Sequence, residues 1–424
     1  MIMSSKDEDK EIAKASMLSG VRVLDLTDEK GFLCGKILGD LGADVIKVER
    51  PSGDPARRIG PFYSNLPDPE NSLHWFAFNS SKRGITLDLE GSEGQEIFGK
   101  LSSRADVVME SFPPGHIENL GLGYEALSAV NPRLIMTSIT PFGQTGPRRH
   151  DKASDITLMA MSGLMCITGD SDKPPLRMCL DQSYSLAGAH AAVGTLLAFW
   201  HRRFSGEGQH VDVSIYECVV RANYWEPARW EFLKGLPKRM GNQFARVRAA
   251  GRQLWRCRDG YVTWLLMGGD SGARLTKAFV EWMDETGQAG IMKGIDWETV
   301  HVAQASQEEL GSWEEIMGKF LREKTLDEIE AQAFKRGIPM ARVNEADGVA
   351  RDAQLSFRDF WEDLPLSEPG KTIPCPGFPF LSSEADTRTG RPAPRIGEHN
   401  VEIYGKELGF TDELISAFRK RGIL

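Results

Sequence analysis

Residues 20–49 decide the fold, and they read GVRVLDLTDEKGFLCGKILGDLGADVIKVE. Gly20–Thr27 and Ala43–Glu49 are short apolar runs of the kind that lies buried in a parallel sheet. Gly35–Gly42 lies between them and carries the spacing of a helix. The stretch therefore predicts one strand–helix–strand unit with two parallel strands.

The same alternation continues toward residue 140. Three further apolar runs are candidate strands: GITLDL at 84–89, ADVVMES at 105–111 and RLIMTSIT at 133–140. Helical segments are expected between them around Glu93–Ser103 and Tyr124–Val130, and a long helix rich in small residues over Ser185–Phe204. Strands separated by helix-length segments predict an α/β fold, in which helices cover both faces of a Rossmann-like parallel sheet.

The character of the sequence changes near residue 225. The following stretch is richer in Trp, Met and charged residues, and it carries both strand and helix signals, which predicts a smaller α+β domain. Pro- and Gly-rich segments and an amphipathic helix come after it. The prediction is a large domain over residues 1–225, a small domain over 226–345 and a C-terminal return segment over 346–424 that packs on the large domain.

Composition excludes several classes of function. The net charge of −9 and the pI near 5.6 argue against nucleic acid and anionic membranes as partners. No run approaches the roughly eighteen apolar residues of a membrane helix, and residues 1–16 lack the apolar core of a signal peptide. The six cysteines are scattered without a CxxC pair, which argues against a zinc site or a disulfide framework. We expect a cytoplasmic protein without a metal.

A dinucleotide site is a natural alternative, because Glu49 ends the second strand. The first turn, however, reads DLTDEKGFLCG and lacks the GxGxxG pattern that lets the backbone approach a pyrophosphate. Gly31, Gly35 and Gly39 recur at every fourth position instead, which is typical of a small face for close helix packing. We therefore do not expect a nucleotide-dependent oxidoreductase.

Seven blocks of the chain, taken in order, resemble the family III CoA-transferases of the formyl-CoA and carnitine type, a family that includes acyl-CoA racemases. The blocks comprise residues 20–62, 79–89 (NSSKRGITLDL), 105–115 (ADVVMESFPPG), 131–147 (NPRLIMTSITPFGQTGP), 205–219 (SGEGQHVDVSIYECV), 336–344 (RGIPMARVN) and 395–400 (RIGEHN). The resemblance implies two protomers threaded through each other as interlocked rings. It also implies CoA thioesters as substrates and no tightly bound cofactor.

In that family an aspartate carboxylate attacks the acyl-CoA carbonyl, and a mixed anhydride and then an aspartyl-CoA thioester follow. The aspartate stands four residues before a helix glycine and seven after a residue of the preceding strand. Counting back from Gly188 and forward from Arg177 both lead to Tyr184. A phenol, with an ordinary pKa of about 10, cannot form an anhydride. The nearby Asp181 is the fallback nucleophile, and its alternative role is to cap the following helix.

The resemblance also implies residues that bind CoA. They are Arg50 at the nucleotide end, Leu87 and Phe112 around the adenine, Lys152 near the phosphates or thioester, Asp155 near the active site, and Gly268 and Gly269 in a loop that closes over the thioester. Alternatively, Arg50 and Lys152 are ordinary surface charges, and Gly268 and Gly269 form a surface turn.

Two positions depart from the family pattern. Asn119 stands where the family often has an arginine, and Glu90 stands where a lysine occurs. A negative charge at position 90 would repel a phosphate.

One subgroup of the family pairs a protomer that lacks the aspartate with a catalytic paralogue. This sequence resembles the aspartate-lacking subunits of transferases that act on succinyl-CoA and benzylsuccinate. The expected partner is then a catalytic paralogous subunit, in an interlocked heterodimer or a heterotetramer of two such pairs. Tryptophans at 225, 230, 255 and 264 either help to form a pocket for an aromatic acid or fill cores and interfaces.

Two alternatives remain open. The chain is either a self-sufficient homodimeric transferase or racemase that uses Asp181, or a non-catalytic protein for acyl-CoA binding or assembly. A paralogue with aspartate at the position of Tyr184 would favour the heteromer. CoA binding without turnover by the isolated chain would favour the binding protein.

Overall fold

The structure is a computed structural model that describes residues 15–366, 370–387 and 390–424. The chain forms two compact units. The first contains the described residues up to Leu164, Arg177–Leu233 and the described residues from Gln354 onward. The second contains Met165–Leu176 and Lys234–Ala353. The short segment Met165–Leu176, which the sequence groups with the large domain, thus belongs to the second unit.

The first unit is built around a parallel sheet, which has six strands among the described residues. The strands are β1 Arg22–Asp25, β2 Asp44–Glu49, β3 Lys82–Thr86, β4 Val107–Glu110, β5 Ile135–Thr140 and β6 His210–Ser214. Their order across the sheet is β3-β2-β1-β4-β5-β6, the order of a doubly wound Rossmann-like fold. The prediction of an α/β fold with a parallel sheet is confirmed. β6 is the strand that the apolar pattern does not predict.

Alternation along the strands gives the sheet two apolar faces, as the pleat requires. Leu24, Ile46 and Val108 point to one face and Val23 and Val45 to the other. Helices cover both faces because such a sheet needs apolar cover on each side.

The helices of this unit stand at the positions that connect and cover the strands. They are α1 Phe32–Asp40, α2 Leu73–Asn79, α3 Ser92–Ser102, α4 His116–Asn119, α5 Tyr124–Val130, α6 Asp155–Met161, α7 Gln182–Ser205, α8 Ile215–Ala222 and α9 Trp225–Leu233. Short 3₁₀ turns span Pro55–Arg58 and Tyr63–Asn65. α7 lies close against α1, and a Cβ atom at Gly188 would come within 2.8 Å of the Leu33 Cβ. Its small residues therefore permit the close approach that positions its N-terminus.

A fully buried ion pair joins β1 to β3. Asp25 and Lys82 are both inaccessible to solvent, and the Lys82 Nζ donates to the Asp25 carboxylate at 2.8 Å and to the Asn79 side chain at 2.9 Å. A Cβ atom at Gly35 would lie 2.5 Å from the Asp25 carboxylate, so a glycine is needed there. The glycine repeat of α1 thus makes room for a buried polar pair as well as for packing.

The C-terminal part covers the β3 edge of the sheet. The side-chain oxygen of Asn400 accepts from the Thr86 N–H at 2.9 Å, and the Tyr404 hydroxyl donates to the Thr86 carbonyl at 2.8 Å. The remaining elements of this part are α14 Ala353–Phe357, the hairpin of β12 Trp361–Pro365 and β13 Thr372–Pro376, a π-helix over Val401–Glu407, and α15 Asp412–Lys420. Backbone groups at the edge strand therefore find partners within the same unit.

The second unit combines small antiparallel sheets with helices. Its elements include β7 Gln243–Ala245 paired with β8 Ala250–Arg252, a sheet of β9 Leu254–Arg256, β10 Tyr261–Thr263 and β11 Ala341–Arg342, and the helices α10 Gly269–Asp284, α11 Gln307–Arg322, α12 Leu326–Arg336 and α13 Ala346–Ala350. Short 3₁₀ turns span Met165–Ile167, Gly290–Gly294 and Val302–Gln304. Trp255 and Trp264 are buried in its core, so these two tryptophans have a packing role. Trp225 and Trp230, by contrast, are exposed on α9 of the first unit.

Among the residues that the structure describes, none of the helices has the length and apolar character required to span a bilayer.

Candidate functional site

A cavity of about 770 Å³ opens at the carboxyl edge of the parallel sheet. It is lined by the loops that follow β1, β2, β3 and β4, together with Arg149–Ala153 beyond β5. The strand order reverses between β1 and β4, and ligands of open α/β sheets bind in the crevice at such a point. The fold therefore places a binding cavity where the loops of several strands converge.

Four of the residues predicted to bind CoA line this cavity. Leu87 is buried and Phe112 half-buried, and they give the cavity an apolar wall. Arg50 and Lys152 are exposed and bring positive charge to its rim. An apolar wall next to cations suits a ligand that joins an aromatic base to phosphates.

Sequence reasoning missed a histidine in the same wall. His116 at the start of α4 lines the cavity, and its Nε2 lies 3.3 Å from a carboxylate oxygen of Glu90. The Phe112 ring lies beside the imidazole, with 4.9 Å between the ring centroids. The sequence held one signal for this residue: His116 lies one helical turn before Asn119, a position that departs from the family pattern. The predicted repulsive charge of Glu90 thus has a partner inside the cavity.

The Glu49 side chain is inaccessible to solvent and already paired with Arg57. Both of its carboxylate oxygens accept from the buried Arg57 guanidinium, at 2.7 and 2.8 Å, and one also accepts from the Asp54 N–H. A dinucleotide site needs this acidic group free for the ribose hydroxyl. The geometry therefore agrees with the sequence argument against a dinucleotide fingerprint.

A buried carboxyl at the end of β4 positions the loop that carries Phe112. The Glu110 carboxylate accepts from the Phe112 N–H at 2.7 Å, and the Gln144 amide lies 3.3 Å from its other oxygen. Burial raises the pKa of Glu110 to about 7, although hydrogen bonds from Ser138 and Phe112 oppose the shift. This acid therefore changes charge near neutral pH.

Glu110→Gln should make the free energy of unfolding less dependent on pH between 4.5 and 8. A raised pKa in the folded state means that the stabilising effect of the protonated acid is complete below the unfolded pKa and is lost as pH rises through about 7. We expect the variant to gain up to about 3 kcal/mol of unfolding free energy relative to wild type between pH 4.5 and pH 8. Urea unfolding at both pH values measures this, and an equal pH dependence of the two proteins would contradict it.

Tyr184 lies in the first turn of α7, half-buried against the apolar face formed with α1. Burial raises the pKa of its phenol well above the ordinary value, and the charges of Glu29, Asp181 and Asp28 raise it further. Asp28 also lines the cavity, so the loop after β1 lies beside both the cavity and this phenol. The hydroxyl thus stays protonated at neutral pH and is a poor nucleophile.

Asp181 stands at the N-cap position of α7, but its side chain makes no capping hydrogen bond. The prediction that it satisfies free backbone N–H groups there is wrong. Asp155 does so instead, since one of its oxygens accepts from both the Ser183 N–H at 2.9 Å and the Ser183 hydroxyl at 2.7 Å. Asp155 and Ser183 are distant in sequence but adjacent in space, because α6 packs against α7.

Arg177 links the two aspartates. Its guanidinium donates to Asp155 at 2.7 Å and to Asp181 at 2.5 Å, and the Asp181 side chain is 41% exposed. A carboxylate that accepts from a guanidinium has part of its charge neutralised, which lowers its nucleophilicity. The Asp181 carboxylate is therefore accessible to solvent but already paired with Arg177.

The remaining predicted residues lie in the second unit. Gly268 is the N-cap residue of α10 and Gly269 is its first residue. Gly269 has a φ of 68°, and its N–H donates to the Trp297 carbonyl at 2.9 Å. Glycine suits this backbone conformation. The role of these two glycines in closing over a thioester stays a prediction.

Comparison with known proteins agrees with the resemblance read from the blocks. The model of CoA-transferase family III matches residues 18–400. The subunit BbsE of succinyl-CoA:(R)-benzylsuccinate CoA-transferase from Thauera aromatica is 36% identical over 387 residues, which are 91% of this chain and 93% of that subunit. Succinyl-CoA–D-citramalate CoA-transferase from Chloroflexus aurantiacus is 32% identical over 96% of this chain and 98% of its own.

A solved structure carries the same fold. The crystal structure of a CaiB/BaiF family protein from Brucella suis superposes with a TM-score of 0.81 and 28% sequence identity, over 93% of this chain and all of that one. The match extends across both compact units and the C-terminal part. The family model, the relatives and the solved fold agree, and the chain belongs to CoA-transferase family III.

Proposed function

We propose that this chain is the non-nucleophilic subunit of a CoA-transferase, one that moves CoA from succinyl-CoA to an aromatic dicarboxylate such as benzylsuccinate. The proposal is carried by Tyr184, which the resemblance predicts at the position of the family nucleophile and whose pKa is raised by burial. A protonated phenol cannot supply the carboxylate that anhydride chemistry requires. The name of the Thauera relative, a subunit that acts with succinyl-CoA and benzylsuccinate, supports the choice of substrates.

CoA is proposed to bind as a substrate in the cavity at the sheet edge, and no tightly bound cofactor is required. Leu87 and Phe112 would contact the adenine, while Arg50 and Lys152 would contact phosphate groups. Guanidinium and ammonium groups are the usual partners of phosphate oxygens. Asp155 would have a positioning role, because its hydrogen bonds from Ser183 fix the start of α7.

Arg50→Ala should weaken CoA binding to the chain. Removing a guanidinium that holds phosphate oxygens should cost about 1–3 kcal/mol, which is roughly a fivefold to hundredfold rise in Kd. Isothermal titration calorimetry with free CoA measures the change. The exposed Arg351, which pairs with Asp347 and does not line the cavity, provides a matched Arg→Ala control. An unchanged Kd for Arg50→Ala would make Arg50 a surface charge.

The proposed partner is a catalytic paralogue, in a heterodimer or a heterotetramer. Support comes from an apolar row on the outer face of α7, where Val193, Leu197, Trp200 and Phe204 are 55%, 62%, 56% and 73% exposed. These positions follow helical spacing, and contiguous exposed apolar groups are typical of a protein interface. An interlocked pair would bury them. A cytoplasmic location is part of the proposal, since the six cysteines are free.

The test of the proposal is a CoA-transfer assay with succinyl-CoA and benzylsuccinate on the chain alone and on the chain co-expressed with paralogues. Light scattering on the same samples gives the composition of the assembly. Activity only in a stable hetero-complex would support the proposal. Activity of the isolated chain would favour the second candidate, a self-sufficient enzyme that uses Asp181, which the exposure of that carboxylate allows.

A further inference from the structure

The wall of the cavity contains an ion pair that changes how an anionic ligand meets it. Glu90, in the loop after β3, has a side chain that is 69% exposed, and the His116 side chain on α4 is 35% exposed. Their charged atoms are 3.3 Å apart, and both residues line the cavity. When the imidazole is protonated the pair is neutral, and when it is not the cavity carries the full negative charge of Glu90.

A second histidine in the same cavity is held differently. The Arg149 Nε donates to the Nε2 of His150 at 2.9 Å. This ring nitrogen of His150 therefore contacts a guanidinium and not a carboxylate. Of these two histidines, His116 is the one whose ring nitrogen lies against a carboxylate.

We propose that His116 is a phosphate-binding residue of this cavity, one whose positive charge offsets Glu90 and attracts an anionic group of the bound ligand. The inference rests on the proposed binding of CoA in the cavity. An imidazole ordinarily changes charge between pH 5 and 8, whereas a lysine or arginine does not. Binding of a phosphate ligand should therefore weaken as pH rises through that range.

Other charged groups near His116 bear on the sign of the effect. Glu118 lies on the same helix, Asp88 lies with Glu90 in the loop after β3, and Arg149, Asp151 and Lys152 line the cavity from the loop after β5. The carboxylates favour protonation of the imidazole and the cations oppose it. Glu110 holds the loop of Phe112, and burial raises its pKa to about 7, so its charge also changes in this range. The difference in pH dependence between wild type and His116→Gln therefore measures the contribution of the imidazole.

The experiment measures the Kd of free CoA at pH 6, 7 and 8.5 and low ionic strength, with the full chain and four variants. His116→Gln should raise the Kd roughly threefold to tenfold at pH 6 and change it little at pH 8.5. His116→Arg should bind tightly at both pH values, and Glu90→Gln should bind more tightly than wild type at pH 8.5. His150→Gln should keep the wild-type pH dependence, whatever its affinity.

Titration of the ligand's own phosphate is common to all variants, so the comparison is made with wild type at each pH. Thermal unfolding confirms that each variant is folded. Equal pH dependence of wild type and His116→Gln would overturn the role of His116 while leaving CoA binding intact. No CoA binding by wild type at pH 6 would overturn the proposed CoA site of this chain and this inference with it.

Discussion

Tyr184→Phe and Asp181→Asn should each leave most of the transfer rate of the proposed hetero-complex intact. Replacing the partner subunit's aspartate at the equivalent position by asparagine should lower the rate by roughly a thousandfold or more, because it removes the covalent route. Rates are measured as CoA transfer from succinyl-CoA to benzylsuccinate. The three variants separate the chain that carries the nucleophile from the chain that does not.

The geometry around α7 gives the physical reason. Burial and the carboxylates of Glu29, Asp181 and Asp28 disfavour a phenolate at Tyr184, so losing its hydroxyl removes no nucleophile. Asp181 is paired with Arg177, and an asparagine keeps an oxygen that can accept from the guanidinium. Neither substitution therefore removes a group on which the proposed chemistry depends.

A matched control is available in the same apolar cluster. Tyr216 on α8 is half-buried beside Phe142, with 5.8 Å between the ring centroids, and it packs against the same cluster as Tyr184. Tyr216→Phe measures what the loss of a half-buried hydroxyl does to folding and assembly. A large loss of rate in Tyr184→Phe with little change in Tyr216→Phe would contradict the account.

Lys82→Met should destabilise the first unit by about 3–5 kcal/mol, because it leaves a buried carboxylate without its cation. Burial by itself would raise the pKa of Asp25, but the charges of Lys82 and Lys47 outweigh it and hold that pKa below its ordinary value. Removing Lys82 reverses this balance. Asp25 must then become protonated or remain a buried carboxylate with only the charge of Lys47 to offset its own.

Urea unfolding at pH 7 measures the loss. The double variant Asp25→Asn/Lys82→Met should recover much of it, since no buried charge is then left alone. Arg421→Met breaks a surface pair with Glu93 in the same unit and should cost no more than about 1 kcal/mol. A cost for Lys82→Met as small as that of Arg421→Met would contradict the role assigned to the buried pair.

Much of the sheet could be predicted because apolar runs are a local signal. The five predicted runs coincide with β1 to β5, although β3 begins at Lys82, before the predicted start at Gly84. Charged residues hid that start, since nothing local indicates that Lys82 has a buried partner in β1. β6 was missed because His210 and Asp212 interrupt its apolar pattern.

The cavity could be predicted only in part. The predicted parallel sheet is enough to show that the loops after its strands converge. The resemblance to the family then supplied Arg50 and Lys152 as residues of the site. The pairing of His116 with Glu90 depends on how closely α4 approaches the loop after β3, which no local pattern contains. Capping of α7 by Asp155 in place of Asp181 has the same cause, a contact between elements distant in sequence.

The most direct measurement traps the covalent intermediate in the working complex. Succinyl-CoA is added to the complex of this chain with its paralogue, hydroxylamine or borohydride converts any anhydride or thioester of a carboxylate to a stable product, and peptide mass spectrometry locates it. The account predicts modification of the partner's aspartate and an unmodified peptide around Asp181. An adduct on Asp181 would contradict it and make this chain a catalyst with a displaced nucleophile.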